Sequence, residues 1–340
     1  MKKLISVILC ISLFTALFSA CSATEATPVK PEDFRITAYI IGDTVMSLTD
    51  GEAAHINEVT DVILFGKSNF DESGKVVLSE DFDEVYNKIK NIIGNNDSRL
   101  YINLLGPDSQ SDSEDWYDQM ADKAERHTAA FESGVLENNI KSILDKYNFD
   151  GVFFDYEYPI KNKYWKPYNE FIVSLDNVLG DKYKIGMALA SWDLGQNKAA
   201  REATDLVEVM AYDEWDDNGN HATVDIAKDD IKKFVKAGYD KARLDLGVPF
   251  YARPTSQEAY WYSYKDYNTA IDENGLYKDA ETGLTFSFNT YDVIKEKTDY
   301  ALNEGLGGMM IWHWACDTEY NSADSLFNAM NTAKSEKLNK

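Results

Sequence analysis

Basic residues, prolines and cysteines are scarce in this sequence, and each shortage excludes a class of protein. The 340 residues include 34 Lys and Arg against 58 Asp and Glu, which gives a net charge of -24. That charge has the wrong sign for neutralising phosphates, so we expect no nucleic-acid partner. With 7 Pro, 19 Gly and 44% hydrophobic residues, the chain is neither collagen-like nor disordered. It is apolar enough to build a large core.

Long apolar runs are also rare, and the one at the N-terminus has the form of a secretory signal. Two lysines precede the apolar stretch from Leu4 to Phe18, and small residues follow it. The stretch is too short for a stable membrane span. We therefore predict a signal peptide over residues 1–20 and export of the rest of the chain.

The end of this signal resembles a bacterial lipobox, in which a cysteine is lipidated and becomes the new N-terminus. The matching residues are Leu17-Phe18-Ser19-Ala20-Cys21, with Phe18 where the pattern usually has Leu. The resemblance implies a lipid on Cys21 and a tether over residues 21–33, which would attach the protein to the membrane of a bacterial cell envelope. Secretion after ordinary cleavage is the alternative.

The few cysteines and histidines provide neither a disulfide nor a metal site. Cys10 leaves with the signal and Cys21 carries the lipid, so Cys316 is alone in the mature chain and no intramolecular disulfide can form. We expect Cys316 to be packed as a small hydrophobe. The four histidines are scattered, and no strand leads into a glycine-rich phosphate loop. We predict no metal, no cofactor and no nucleotide.

From Phe34 onward, short apolar runs alternate with longer amphipathic stretches, which is typical of repeated βα units. The predicted strands are 35–41, 61–65, 99–105, 151–155, 184–190, 206–210, 244–248 and 308–312. The predicted helices are 80–93, 116–147, 164–179, 225–237, 291–303 and 322–334. Such alternation predicts parallel strands joined by crossover helices. The pattern favours a closed (β/α)8 TIM barrel over an open doubly wound sheet.

The barrel is predicted as a single catalytic domain over residues 34–340. Between the last two strands, residues 252–307 must hold a loop, an aromatic cluster near Trp261 and a helix. That leaves little room for a large α+β insertion, so we expect a shallow, open-ended groove. We also expect a monomer. The chemistry of such barrels lies at the C-terminal ends of the strands.

The most informative strand end is the stretch from Phe149 to Pro159. Side chains in a strand alternate with period two, so Phe153, Asp155 and Glu157 share one face while Val152 and Phe154 point the other way. Two carboxyl groups at the end of an apolar strand are partly desolvated, which raises the pKa of at least one of them. A carboxyl group with a raised pKa is suited to act as a general acid. Two exposed loop acids that simply follow a core strand are the alternative.

This stretch resembles the signature of glycoside hydrolase family 18, the chitinases and related endo-acting hexosaminidases. The fourth strand of that family reads Asp-Gly-x-Asp-x-Asp-x-Glu, and Asp150, Gly151, Asp155 and Glu157 match it whereas Phe153 does not. Three further segments resemble the sixth, seventh and eighth strands of the family in the required order: 209–213, 246–253 and 307–312. The third strand, 101–107, lacks the usual Ser-x-Gly-Gly.

The resemblance implies retaining, substrate-assisted hydrolysis of β-1,4-linked N-acetylglucosamine (GlcNAc) glycans such as chitin, in which the 2-acetamido oxygen of the sugar is the nucleophile. It makes Glu157 the acid and base, Asp155 the partner of the acetamido N–H, and Tyr212 a donor to the acetamido oxygen. The implied substrate-binding residues are Asp213, Met210, Trp312 and Tyr39. On their residue types alone, Tyr212, Met210 and Trp312 are equally compatible with barrel packing.

Three alternatives to chitin hydrolysis stay open. An endo-β-N-acetylglucosaminidase acting on N-glycan cores would use the same acids, and so would a peptidoglycan or spore-wall hydrolase. A glycan-binding protein without catalysis is the third. The departure at Phe153 bears on activity, because an acid there could share a proton with Asp155 and a phenyl ring cannot. We expect the coupling between Asp155 and Glu157 to be stronger as a result.

Overall fold

The computed structural model describes residues 29–157, 162–319 and 322–339. Over this part of the chain the strands are β1 (Arg35–Ile41), β2 (Asp61–Phe65), β3 (Ser68–Phe70), β4 (Val76–Leu78), β5 (Arg99–Leu104), β6 (Gly151–Asp155), β7 (Lys184–Leu189), β8 (Leu206–Val209), β9 (Leu244–Pro249), β10 (Tyr251–Pro254), β11 (Tyr262–Ser263), β12 (Leu276–Lys278), β13 (Thr285–Ser287) and β14 (Gly308–Trp312). The signal peptide, Cys21 and most of the tether predicted above lie outside the described residues.

The helices flank the strands in the alternation that the sequence predicts. They are α1 (Gly42–Val45), α2 (Asp50–Ala53), α3 (Phe82–Ile93), α4 (Trp116–Phe131), α5 (Leu136–Tyr147), α6 (Asn162–Leu179), α7 (Lys198–Ala203), α8 (Val224–Lys236), α9 (Tyr264–Tyr267), α10 (Tyr291–Glu304) and α11 (Leu326–Leu338). Within the three described ranges, no helix is both long enough and apolar enough to cross a membrane.

Eight parallel strands close into a barrel in the order β1-β14-β9-β8-β7-β6-β5-β2. The prediction of a (β/α)8 TIM barrel is confirmed, and each predicted barrel strand ends within one residue of its observed ends. Closure comes from the pairing of the first strand with the last, in which Thr37 lies beside Met310. The carboxyl ends of all eight strands therefore meet at one mouth.

Alternation along each strand divides the core into two apolar layers. Val152 and Phe154 of β6 point outward into the layer between the barrel and its helices. Phe153 points inward to a smaller cluster inside the barrel, together with Tyr39, Ile63, Tyr101, Leu206 and Met310. The inward face also buries polar side chains, among them Asn103 and Glu208, which alternate along their strands with Tyr101 and Leu206.

Ion pairs occupy the opposite end of the barrel. Arg35 at the start of β1 donates to both carboxylate oxygens of Asp245 on β9, at 3.0 and 2.6 Å. Arg99 on β5 donates to Asp61 on β2 at 2.7 Å. The buried carboxyl of Glu208 on β8 has a pKa well above its usual range, because burial and the nearby Asp245 both disfavour its charge.

Two predicted helices have different limits in the structure. The predicted helix 116–147 is interrupted after Phe131, because Gly134 adopts a left-handed φ of 72° that a helix does not accommodate. The last helix begins at Leu326 rather than at residue 322. Its N-cap is Ser325, whose hydroxyl accepts from the backbone N–H of Asn328 at 3.2 Å.

A small antiparallel sheet lies along the chain between the last two barrel strands, β9 and β14, which are themselves paired in the barrel. The sequence predicts a loop and an aromatic cluster there. The strand order of this sheet is β11-β10-β13-β12, and the stacked rings of Tyr262 and Phe286 join two of its strands at 4.0 Å. The prediction that no large α+β insertion is present is confirmed. The hairpin of β3 and β4, which follows β2, lies outside the predicted strands.

Candidate active site

The candidate active site begins with the two acids at the mouth end of β6. Asp155 is the last residue of the strand, and Glu157 follows one residue beyond it. Between them, Tyr156 is 2% exposed and points away from the mouth. Its ring stacks on Tyr168 of α6 at 4.7 Å and meets Phe131 of α4 edge-on at 5.5 Å. This anchored ring fixes the short segment that carries both carboxyl groups.

The two carboxyl groups are coupled, and each has a raised pKa. Burial is the largest cause for both, and the charge of Glu157 further raises the pKa of Asp155. Asp155 Oδ1 is buried and makes no hydrogen bond within the described residues. Each group therefore holds its proton to a higher pH than an isolated carboxyl group would. A protonated carboxyl at the mouth can act as a general acid.

Lys123 of α4 opposes this effect. Its positive charge lowers the pKa of both Asp155 and Glu157, against the larger effect of burial. Lys123 also forms an ion pair with Asp108 at 3.0 Å. Lys123 has no signal in the sequence that connects it to Asp155 and Glu157, because it lies within α4, an amphipathic helix more distant along the chain.

Phe153 lies inside the barrel beneath Asp155 and is fully buried. Its ring meets Tyr101 of β5 edge-on at 5.0 Å. On the neighbouring β7, Gly186 lies beside Phe153 in register, and a Cβ atom at Gly186 would come within 2.3 Å of the Phe153 ring. The missing side chain at Gly186 therefore provides the space that this phenyl ring fills.

The segment after β8 brings Tyr212 to the same mouth. The pKa of Tyr212 is well above its usual value because its hydroxyl is buried and because Tyr251, Tyr39, Asp155 and Glu157 all disfavour a charge there. This hydroxyl stays protonated at any ordinary pH and can donate a hydrogen bond. Met210 and Glu157 line one small pocket together with Trp192 and Asp193.

Asp213 is predicted as a substrate-binding residue, and in the structure its carboxylate already has several partners. It accepts from the Tyr251 hydroxyl at 2.6 Å and from Arg253 Nε and Nη2 at 2.8 and 2.6 Å. Burial raises its pKa, but the contacts with His221, Arg253 and Tyr251 outweigh burial and hold the pKa well below the usual value. Arg253 lies within the stretch 246–253, where the sequence analysis gives it no role.

Trp312 ends β14 and is half-buried at the mouth. Its ring meets Tyr39 at 5.4 Å and Phe65 at 4.9 Å, both edge-on. Tyr39 is 2% exposed and lies inside the barrel, beneath this layer. The structure thus places Trp312 at the barrel mouth that also carries Asp155 and Glu157, and Tyr39 below it inside the barrel. The peptide bond between Trp312 and His313 is cis.

Several aromatic side chains at the mouth are open to solvent. They include Trp116 and Tyr117 at the start of α4, Trp192 after β7, and Tyr260 and Trp261 before β11, with exposures between 49% and 66%. Exposed rings can stack on the apolar faces of sugars. The sequence alone does not decide whether the group around Trp261 stacks on sugars or covers a loop. For the other exposed rings, the aromatic content of 13% is the sequence's indication.

The thiol of Cys316 shows no sign of a reactive role. Cys316 is buried, and burial raises the pKa of its thiol to about 11, in agreement with a packed, unreactive side chain. Among the described residues, no three His, Cys, Asp or Glu side chains are grouped as metal ligands would be.

A closed parallel barrel with two coupled carboxyl groups at its mouth has the architecture of a TIM-barrel glycoside hydrolase. The family model of glycosyl hydrolases family 18 matches residues 35–317, and the chain belongs to this family. The ordered motifs of four strands, which carried the resemblance in the sequence, lie within the matched region.

Individual relatives are distant. Endochitinase 1 of Metarhizium robertsii is 23% identical over 244 residues, which are 56% of this chain and 57% of that protein. The chain thus spans little more than half of this curated relative. Probable chitinase 2 of Drosophila melanogaster is 30% identical over 141 residues, 35% of this chain and 29% of that protein.

Solved structures share the fold. A family 18 chitinase from the chitin utilization locus of Flavobacterium johnsoniae superposes with a TM-score of 0.71 at 22% identity, covering 91% of this chain and 95% of the chitinase. A chitinase-like agglutinin from Robinia pseudoacacia superposes with a TM-score of 0.66 at 17% identity, covering 88% of this chain and 99% of the agglutinin. At these identities the likeness establishes the fold alone.

Proposed function

We propose that this protein is a retaining endo-hydrolase of β-1,4-linked GlcNAc glycans, chitin or chito-oligosaccharides. The observation that carries the proposal is the coupled pair of Asp155 and Glu157, whose pKa values are both raised by burial at the barrel mouth. The nearby hydroxyl of Tyr212 supplies a neutral donor. An acid, a second carboxyl group and a hydroxyl donor are the side chains that substrate-assisted hydrolysis needs.

In the proposed mechanism, Glu157 gives its proton to the leaving glycosidic oxygen as the bond to the anomeric carbon breaks. The substrate's acetamido oxygen attacks that carbon and forms an oxazolinium ring. Asp155 accepts the acetamido N–H and stabilises the positive charge, while Tyr212 donates to the acetamido oxygen. Glu157, now a carboxylate, takes a proton from water, whose oxygen opens the ring. Two displacements leave the configuration retained.

One assay tests the proposal against its rivals. The soluble chain from Thr24 onward is incubated separately with chito-oligosaccharides, a high-mannose glycopeptide and peptidoglycan, and products are identified by mass. We expect shortened chito-oligosaccharides. Cleavage of the glycopeptide alone would indicate an endo-β-N-acetylglucosaminidase, and cleavage of peptidoglycan alone would indicate a wall hydrolase.

The same assay identifies the catalytic acid. Glu157→Gln keeps the shape of the side chain and removes its titrating proton, so turnover should fall by roughly 10²- to 10⁴-fold. Glu170→Gln, which removes a carboxylate on the exposed face of α6, is the matched control and should keep full turnover. An active Glu157→Gln variant would refute the assignment.

A glycan-binding protein without catalysis is the second candidate. It is favoured by one observation: the fully buried Phe153 occupies the position of an acid in the family pattern. In that case the wild-type chain would bind chito-oligosaccharides in calorimetry and release no product, and Glu157→Gln would bind equally well.

We also propose that Cys21 carries lipid and attaches the protein to a bacterial membrane. This proposal rests on the lipobox-like residues 17–21, and the acidic mature chain offers little electrostatic attraction to an anionic membrane surface. Cys21→Ser should abolish incorporation of a labelled fatty acid and release the protein from the membrane fraction. Wild-type protein found wholly soluble in the medium would instead indicate ordinary secretion.

A further inference from the structure

Asp213, the residue next to Tyr212, has an unusual backbone conformation. Its φ is 58°, in the left-handed region that residues other than glycine rarely adopt. Such a conformation costs free energy and persists only where the surroundings hold it. The peptide group between residues 212 and 213 connects this conformation to Tyr212.

The imidazole of His221 holds this peptide group directly. The backbone N–H of Asp213 donates to His221 Nε2 at 3.0 Å. His221 Nε2 can accept only when it carries no proton, so the neutral ring has its proton on Nδ1. The His221 side chain has no solvent exposure, and burial lowers its pKa although Asp213 opposes the shift. Burial therefore favours the neutral ring that this hydrogen bond requires, and Nδ1 is buried without a hydrogen-bond partner among the described residues.

His221 is itself fixed on both sides of its own backbone. Its N–H donates to Ser287 Oγ at 3.1 Å, and its carbonyl accepts from Asn289 Nδ2 at 3.2 Å. The fully buried Lys297 donates to Asn289 Oδ1 at 2.6 Å and to the carbonyl of Ala222 at 2.5 Å. These contacts join the segment after β8 to β13 and α10, so the backbone that carries the imidazole is fixed to the rest of the fold.

We propose that His221 is a positioning residue for Tyr212. By accepting the N–H of Asp213, it holds the left-handed backbone that directs the Tyr212 hydroxyl toward Asp155 and Glu157. The kinetic part of this inference rests on the proposed hydrolysis, since His221 acts on the reaction through Tyr212 and does not touch the acids.

Two substitutions at position 221 distinguish the hydrogen bond that His221 accepts from the packing of its ring. His221→Phe keeps a ring against Trp215 and Tyr251, which the imidazole meets at 5.8 and 5.5 Å, but it removes the acceptor. His221→Gln loses the ring and keeps an acceptor at the same reach. We expect His221→Phe to lower kcat by roughly 10- to 100-fold, as misplaced catalytic groups do, and His221→Gln to retain more of kcat than His221→Phe. KM should change less than kcat in both variants.

A double variant tests whether the effect passes through Tyr212. In a Tyr212→Phe background, which has no hydroxyl to direct, adding His221→Phe should lower kcat by less than twofold. A further tenfold fall, or His221→Phe matching the wild type, would overturn the proposal. If His221→Phe does not fold, Ser287→Ala loosens the same imidazole and should lower kcat in the same direction, by a smaller factor, and an unchanged kcat would overturn the proposal.

Crystal structures of the wild type and His221→Phe give a readout that does not depend on turnover. We expect Asp213 to leave the left-handed region in the variant and the Tyr212 hydroxyl to move by more than about 1 Å, the scale at which catalysis fails. An unmoved Tyr212 hydroxyl would overturn the inference. A wild type without hydrolysis on any substrate would refute the proposed function and leave this structural result to decide on His221.

Discussion

Asp155 and Asp213 are both aspartates at the mouth of the barrel, but their hydrogen-bond partners and the directions of their pKa shifts differ. Asp155 has a buried oxygen that finds no hydrogen-bond partner among residues 29–157, 162–319 and 322–339, and its pKa is raised. Asp213 accepts hydrogen bonds from Tyr251 and Arg253, and its pKa is lowered. Burial acts on both carboxyl groups, so the partners account for the opposite directions.

The comparison shows which carboxyl groups remain available for chemistry. A carboxylate with its hydrogen-bonding capacity filled stabilises the native backbone, and its charge stays constant over the working range of pH. A buried carboxyl group without partners costs free energy, and that cost can be recovered when a substrate N–H arrives. We therefore infer a structural contribution from Asp213 and a reactive one from Asp155.

Among the variants that test this comparison, Asp155→Asn should have the largest effect on turnover. The amide cannot stabilise a positive intermediate, so kcat should fall by roughly 10²- to 10³-fold, the range seen when an electrostatic group is removed. Stability should change in the opposite sense. The raised pKa means that ionisation of Asp155 destabilises the fold above the pKa of the unfolded chain, near 4. Urea unfolding at pH 7 should show the variant to be at least as stable as the wild type.

A partner for Asp155 can be restored by substitution at Phe153. Phe153→Asp removes a fully buried ring and should cost on the order of 3 kcal/mol in the free energy of unfolding. Phe153→Asn is the matched control, because it is similar in size and does not titrate. Both should melt at lower temperature, and only Phe153→Asp should change the pH profile of turnover per folded molecule. Identical profiles for the two variants would contradict proton sharing with Asp155 and Glu157.

Asp213→Asn should be the mirror image of Asp155→Asn in stability. The lowered pKa of Asp213 stabilises the fold above the pKa of the unfolded carboxyl group and loses this contribution as pH falls below about 4. The Asp213 side chain is 39% exposed, so solvent screening reduces the effect, and we expect a loss of about 1 kcal/mol at pH 7. The difference from wild type should shrink in acid. A constant difference from pH 7 to pH 3 would contradict the role of its charge.

The smallest expected effect concerns the charge of Lys123. Lys123 lowers the pKa of both Asp155 and Glu157, so Lys123→Met should raise both values. The alkaline limb of kcat/KM, which reports loss of the proton from the general acid, should then move to higher pH by a fraction of a unit. Lys166→Met removes an exposed lysine of α6 and should leave the limb unmoved. A shift to lower pH would show that another group controls this limb.

The barrel and the position of its acids are predictable from the sequence because both depend on local periodicity. Period-two alternation predicts β6 with Val152 and Phe154 outward, and the end of that strand places Asp155. The partners of Asp213 are not predictable in this way, since Arg253 reaches it from a short strand of the small sheet and His221 from the irregular segment between β8 and α8. Gly186 likewise has no local signal. Its small size has meaning only beside Phe153 on the neighbouring strand.

The pairing of β1 with β14 also has a consequence for the order in which the protein can fold. One edge of β1, the first barrel strand to be synthesised, stays unpaired until β14 has been made, because Thr37 lies beside Met310. The ion pair of Arg35 likewise forms only after Asp245 has been made. A chain that ends before Gly308 leaves the edges of β1 and β9 unpaired. Closure of this kind joins residues far apart in sequence, which slows folding. The barrel therefore completes its fold only after β14 has been made.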